Sequence, residues 1–212
     1  MSLKEKHIQL LETAERLFAE KGFEGTSVRD IADEAGVNIA MISYYFGSKE
    51  KLMQALFEKK IGDIEIRVVS LIKDDSLSPI QKVDMLVQEH VERVMKDKKF
   101  HRIMVCEQII NKNPAIIHLL KDIKLKNATI IGELIKDGQK KGAFKKKVDV
   151  VMLLSIMFGT VNQLMVNHDF YRSFNKLHEL SEIDYEELLK VKAATYIKKI
   201  FRALLLQENL PG

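Results

Sequence analysis

Apolar residues recur at three- and four-residue intervals along nearly the whole of this 212-residue chain, the spacing that lines one face of a helix. Ile8, Leu11, Ala14, Leu17 and Phe18 form a first stripe that stops before Gly22, and Ser2 with Glu5 has the spacing of a capping box at its start. A short stripe of Ile31, Ala32 and Ala35 follows, capped by Ser27 or Thr26 and ended by Gly36. Val37 then begins a turn, Asn38 caps a second short helix, and Ile42, Tyr45 and Phe46 form its inward face. Gly47-Ser48 breaks that helix. Ser48 caps a long one carrying Leu52, Ala55, Leu56 and Ile61 to about Ile72.

Further along, Ser78-Pro79 opens a helix with Ile80, Val83, Val87, His90 and Val94 on one face, and Phe100 to about Ile110 forms the next. Asn113-Pro114 starts a helical region bearing Ile116, Leu120, Ile123, Asn127, Ile130 and Leu134, which ends near Lys141-Gly142. Residues 148–166 are apolar almost all round, so this helix requires burial on several sides. Asp149, Asn162 and Gln163 within it argue for a subunit interface over a membrane span. Residues 170–183 read as an irregular or short helical connection of mixed character. A last helix is expected from Asp184, with Glu187 completing a capping box and Leu188, Leu189, Tyr196, Ile197, Ile200, Phe201 and Leu204 as its apolar positions.

The pattern predicts an all-α protein of about nine or ten helices, and composition agrees. Three Pro and ten Gly leave few breakers, while the single Cys106 excludes an internal disulfide and suits a reducing, cytoplasmic setting. No signal peptide is expected, because charge and apolar residues alternate at helical spacing from the start. The net charge of +4 is not an argument for nucleic acid. Residues 1–60 hold nine Lys or Arg against ten Asp or Glu, a net of −1, so affinity for phosphate has to come from local placement.

The stretch VRDIADEAGVNIAMISYY, residues 28–45, is the part that carries chemistry. Two short helices meeting at a Gly-containing turn form a helix-turn-helix. The second presents Ile39, Ala40, Met41, Ser43 and Tyr44 away from its packing face, and a small, weakly polar face of that kind fits a major groove. The surrounding residues sharpen this. LFAEKGFEGTSVRDIADEAGV followed by YYFGSKEKL, within residues 8–57, closely resembles the DNA-binding segment of the TetR family of bacterial transcriptional regulators. Beyond that first quarter, the chain resembles the family only in length and helical character.

The resemblance implies a three-helix helix-turn-helix DNA-binding domain over residues 1–47 and a larger helical effector-binding and dimerisation domain over residues 48–212. It further implies a regulator, most often a repressor, that binds a roughly palindromic double-stranded operator as a homodimer and is released by a small-molecule effector. Asn38, Ile39, Ala40, Met41, Ser43 and Tyr44 would lie at base edges or the adjacent backbone, and Arg29 at a guanine or a phosphate. Thr26, Ser27, Tyr45 and Lys49 would take phosphates. Ser43 stands where the family commonly has an aromatic residue. Ile39 replaces a frequently polar one, which favours contact with a thymine methyl.

The effector would be met by polar or soft residues on apolar helices: His90, Met104, Gln108, Asn127 and Asn162. The second subunit would meet Met157, Gly159, Leu164, Ile197, Phe201 and Leu204 on the last two long helices. Lys140, Lys141, Lys145, Lys146 and Lys147 surround a turn and read better as a solvated turn than as a second nucleic-acid patch. No cofactor, metal or membrane partner is expected. His178-Glu179 lacks the second His of a zinc motif, with Glu182 in its place, and neither a phosphate loop nor a G-x-S-x-G elbow is present. A DNA-binding regulator without an effector, or a helical enzyme or ligand carrier, also fits the residues alone.

Overall fold

The computed structural model describes residues 3–110 and 113–207. Among these it has ten helices and no strand: α1 (Leu3–Lys21), α2 (Val28–Glu34), α3 (Ala40–Tyr45), α4 (Lys49–Ile72), α5 (Pro79–Lys96), α6 (Lys98–Ile110), α7 (Pro114–Lys140), α8 (Val150–Val166), α9 (His168–Phe174) and α10 (Glu182–Leu205). Ser2, expected to cap the first helix, lies outside the described residues.

Side chains start most of these helices by satisfying otherwise orphaned amides. Ser27 Oγ accepts from Asp30 N at 3.1 Å, while the Asp30 carboxylate accepts from Ser27 N at 2.8 Å. Ser78 and Gln81 form the same reciprocal pair at α5. Asn113 Oδ1 accepts from Ala115 N and Ile116 N at α7, and Asp149 Oδ1 accepts from Met152 N at α8. The final helix corrects the expected start: it begins at Glu182, because Ser181 Oγ accepts from Asp184 N and makes Asp184 an interior residue of the first turn.

The chain forms two compact units. One comprises residues up to Arg67 together with Asp97–Lys124, the other Val68–Lys96 with the residues from Leu125 onward. The division expected at Gly47 does not coincide with this boundary. Most of α4, α6 and the start of α7 pack with the helix-turn-helix. Their core joins Leu10, Leu17 and Phe23 to Ile31, Ile42, Leu52, Leu56, Phe57 and Ile103. Burial of each such side chain stabilises by roughly 1.5–3 kcal/mol. Lys60 on α4 lies 2.7 Å from both Glu15 on α1 and Asp97 at the start of α6. Burial works against its charge, yet hydrogen bonds to Asp97 and Glu15 hold the ammonium above its usual range.

In the second unit α10 packs along α5 and α8. Val83, Val87 and Val91 meet Leu153, Met157 and Val161 and, from α10, Leu189, Ala193, Ile197 and Phe201. This assigns Met157, Ile197 and Phe201 to the unit's own core, at 8%, 0% and 6% exposure, and corrects their expected place at a subunit interface. Leu164 is half-buried against the same core. Gly159 and Leu204 do face outward. No single described helix is long and apolar enough to cross a membrane; α8 and α9 reach that length only together, across a 75° bend.

Candidate DNA-binding surface

The turn between α2 and α3 is set by backbone chemistry. Val37 N donates to Ala32 O at 3.0 Å and Gly36 N to Asp33 O at 3.1 Å, the paired bonds of a Schellman cap. They require the residue at position 36 to be left-handed, and Gly36 has φ +60°. From α1, Gln9 Nε2 donates to Ala35 O at 3.0 Å and ties this turn to the first helix. Asn38 Oδ1 then accepts from Ala40 N at 2.8 Å, so its side chain caps the second helix as expected and is committed to that bond.

Helix α3 divides sharply between two faces. Ile42 is 1% exposed and Phe46 7%, both within the core. On the opposite face Ile39 is 43% and Tyr44 72% exposed, with Ala40 and Ser43 exposed between them. Met41 packs partly against the core and is set back from this surface. Tyr45 is half-buried, its ring edge-on to Tyr44 at 5.1 Å. Arg29 is exposed on α2.

Two expected phosphate ligands are engaged elsewhere. Thr26 has 0% exposure, and its hydroxyl donates to Gly22 O at 2.8 Å and lies 3.2 Å from Leu17 O, so it secures the turn after α1. Lys49 Nζ donates to Phe23 O at 2.8 Å and Thr26 O at 2.9 Å and lies 4.2 Å from the centre of the Phe23 ring. From the other side, the buried Glu107 of α6 accepts from Phe23 N at 3.4 Å. Burial pushes the Glu107 carboxyl above its ordinary range. Ser27 is exposed, but its hydroxyl already bonds Asp30 within the cap. That hydrogen bond holds the Asp30 carboxyl below its usual range.

Two residues absent from the expected set border the surface. His7 of α1 stacks on Phe46 with ring centres 4.7 Å apart and stands edge-on to Tyr45 at 5.7 Å. Lys51 lies across Gly47, where a β-carbon would meet its Cδ at 3.6 Å and its Nζ at 4.0 Å. The only sequence signal for His7 was its position one residue before the α1 stripe, and Lys51 carried none beyond its charge.

The five expected effector residues are divided between the two units. Met104 and Gln108 belong to the first unit, with Gln108 exposed and bonded to Met104 O. His90, Asn127 and Asn162 belong to the second. There His90 is buried, its Nδ1 lying 2.9 Å from Arg93 and its ring 4.9 Å from Phe158. The second unit does contain a small apolar crevice of about 30 Å³, of the order of one water molecule. It runs between α5, α7, α8 and α10, lined by residues such as Val83, Leu86, Ile131, Leu153, Met157 and Phe201. None of the five lines it.

Comparison with known proteins agrees with this geometry. Residues 10–56 match the model for bacterial regulatory proteins of the tetR family, and residues 57–191 match that for the C-terminal region of YsiA-like proteins. The fatty acid metabolism regulator protein of Bacillus subtilis (strain 168) is 25% identical over 160 residues, 74% of this chain and 80% of its own length. The crystal structure of FadR from Bacillus subtilis in complex with stearoyl-CoA superposes with a TM-score of 0.66 at 21% identity, covering 90% of this chain and 96% of that one. The ketosteroid transcriptional regulator KstR2 of Mycobacterium tuberculosis does so with 0.67 at 20% identity, over 95% of each chain. With its helix-turn-helix matched by one family model and most of the remainder by the other, the chain belongs to the tetR family of bacterial regulatory proteins and is a DNA-binding transcriptional regulator.

Proposed function

We propose that the protein is a repressor that binds a near-palindromic operator as a homodimer and leaves it when an apolar small molecule enters its C-terminal region. The observation that carries the DNA half of this reading is the face of α3. Ile39, Ala40, Ser43 and Tyr44 are exposed while Ile42 and Phe46 anchor the same helix in the core. A helix held in this way offers small and methyl-bearing side chains to base edges without moving. Arg29 and Tyr45 flank that face and contact base or backbone. In a two-fold dimer the paired helices enter successive turns of the major groove, about 34–36 Å apart.

Exposed apolar residues on the last two long helices support the dimer. Val151, Met152 and Val166 on α8 and Tyr196, Ile200 and Leu204 on α10 are exposed apolar residues that a second subunit would cover. Gly159, exposed on α8, permits close approach of a second helix. The effector reading draws on the wholly apolar lining of the cleft in the second unit and on the stearoyl-CoA held by the Bacillus subtilis FadR structure. The apolar lining suits an acyl chain in chemistry, and the surrounding helices would have to part to admit one.

Selecting binding sites from random double-stranded DNA tests the first part. Enrichment of an inverted repeat with half-sites about one helical turn apart is expected, and failure to enrich any sequence overturns it. Titrating stearoyl-CoA into the operator complex tests the second, with release of DNA expected. Unchanged operator affinity at saturating ligand would exclude a long-chain acyl effector.

A further inference from the structure

On the effector reading above, the apolar crevice of the second unit has to open before it can hold a ligand, since about 30 Å³ takes roughly one water molecule. Three of its four walls are tied to one another. Arg202 of α10 donates to the Asp84 carboxylate of α5, and one turn along the same seam Lys198 Nζ donates to Gln88 Oε1 at 2.6 Å. Lys145, in the run-in to α8, donates from its backbone N to Leu205 O at 2.7 Å and from Nζ to Ala203 O at 3.0 Å, which fastens it to the end of α10. The fourth wall, α7, is unevenly held. At its C-terminal end Gln139 Nε2 donates to Lys145 O at 2.9 Å and Lys146 O at 3.0 Å, the Phe144 ring packs on Gly138, and Leu134 and Ile135 are buried. From Leu125 to Glu133, by contrast, no residue is buried, and Ile131, which lines the crevice, is half-buried. Gly132 stands at the junction, where a β-carbon would meet nothing within 4 Å. Packing therefore does not demand a glycine there. Its effect is to weaken the helical state about fivefold relative to alanine. Just before it, the Thr129 hydroxyl bonds Leu125 O at 3.0 Å, a back-bond of the kind that bends helices.

We propose that α7 is the moving wall of this crevice: residues 125–131 swing outward about Gly132, withdrawing the Ile131 side chain and opening the apolar lining to an acyl chain, while Leu134 and Ile135 stay in the core. The helix unwinds locally at Gly132 in this motion, so the ligand-competent state is a minor one and its population sets the apparent affinity. Alanine at 132 fits the resting helix and strengthens it, and by the same factor it depletes the open state.

Two measurements on the full-length protein test this. Hydrogen exchange without ligand reads the resting state: opening at Gly132 breaks the bonds donated by the amides of residues 133–136, which are expected to exchange about tenfold faster than those of residues 137–139. Equal protection along the whole stretch overturns the pivot. Calorimetric titration with stearoyl-CoA reads the open state. Gly132→Ala is expected to raise the melting temperature and to lower stearoyl-CoA affinity about fivefold. A raised melting temperature with unchanged affinity, or a lowered melting temperature, also overturns the proposal. Wild-type protein that binds no stearoyl-CoA would remove the acyl-effector reading, and the exchange profile would still decide whether α7 opens at Gly132.

Discussion

Thr26 shows how a residue that looks like a ligand becomes a brace. Its hydroxyl has one proton and faces the carbonyls of Leu17 and Gly22 in a region closed to water. Replacing it by Val keeps the shape and leaves those carbonyls short of a donor, so Thr26→Val should destabilise the protein by about 1–3 kcal/mol. Thr26→Ser should cost much less. Urea denaturation of the two variants makes the comparison, and equal stability of both would mean the hydroxyl bonds contribute nothing. Nothing in the letters distinguishes this Thr from one aimed at DNA. In the pattern G-T-S-V, Thr26 and Ser27 are adjacent hydroxyls before a helix, and only the fold sends one inward and the other to the cap. Lys49 was illegible for the same reason, since its partners are backbone carbonyls 23 and 26 residues away.

Glu107 extends the point to a charged group. Burial raises its carboxyl above the ordinary value of 4.5, so the folded chain holds the proton more tightly than the unfolded chain does. Its favourable contribution is complete below that value and is lost as pH rises through the raised one. Glu107→Gln keeps an oxygen for Phe23 N and removes the charge. Relative to wild type it should be more stable at about pH 7, with the difference shrinking toward about pH 4. Melting temperatures across that range give the answer; a constant offset would show that the carboxyl does not titrate differently on folding.

At the level of elements, what could be read locally was read well. The stripes of α1 and α5, the caps at Ser27, Asn38, Ser48, Ser78 and Asn113, and the stop at Gly36 all depend on residues within four positions of one another. Gly36 permits a quantitative check. No atom lies within 4 Å of where its β-carbon would be, so Gly36→Ala meets only the left-handed backbone at φ +60°. The variant should lose about 1–2 kcal/mol of stability, and Gly36→Asn less. Gly138, inside α7, is the contrasting case. A β-carbon there would fall 2.2 Å from the Phe144 ring, which packs on it from the following turn. Gly138→Ala should therefore destabilise by about 1–3 kcal/mol through overpacking, even though Ala is the better helix former. Equal or greater stability of the variant in denaturant would mean that Phe144 moves aside freely.

Across the whole molecule, the hardest feature to read was which side of a helix is core and which is left for a partner. In α8 apolar residues occur on nearly every face, and in α10 they spread beyond one narrow stripe, so period alone could not separate Met157, Ile197 and Phe201, which are buried, from Val151, Met152, Tyr196 and Ile200, which are exposed. The two sets should respond to mutation in opposite ways. Truncating Phe201 or Ile197 to Ala opens a cavity in the second unit and should cost about 2–5 kcal/mol of stability. Ile200→Glu with Leu204→Glu replaces exposed apolar side chains on α10, so the unit itself should fold with near-normal helicity. In a dimer formed through that face the charges would oppose one another across a desolvated interface, and the protein should become monomeric by light scattering. Operator affinity should then fall steeply, because each chain engages one half-site without the effective concentration that the second provides. A double variant that stays dimeric and binds the operator normally would place the subunit contact elsewhere on the molecule. A monomeric variant that keeps full operator affinity would show that one recognition helix suffices and that the palindrome is not read by a dimer.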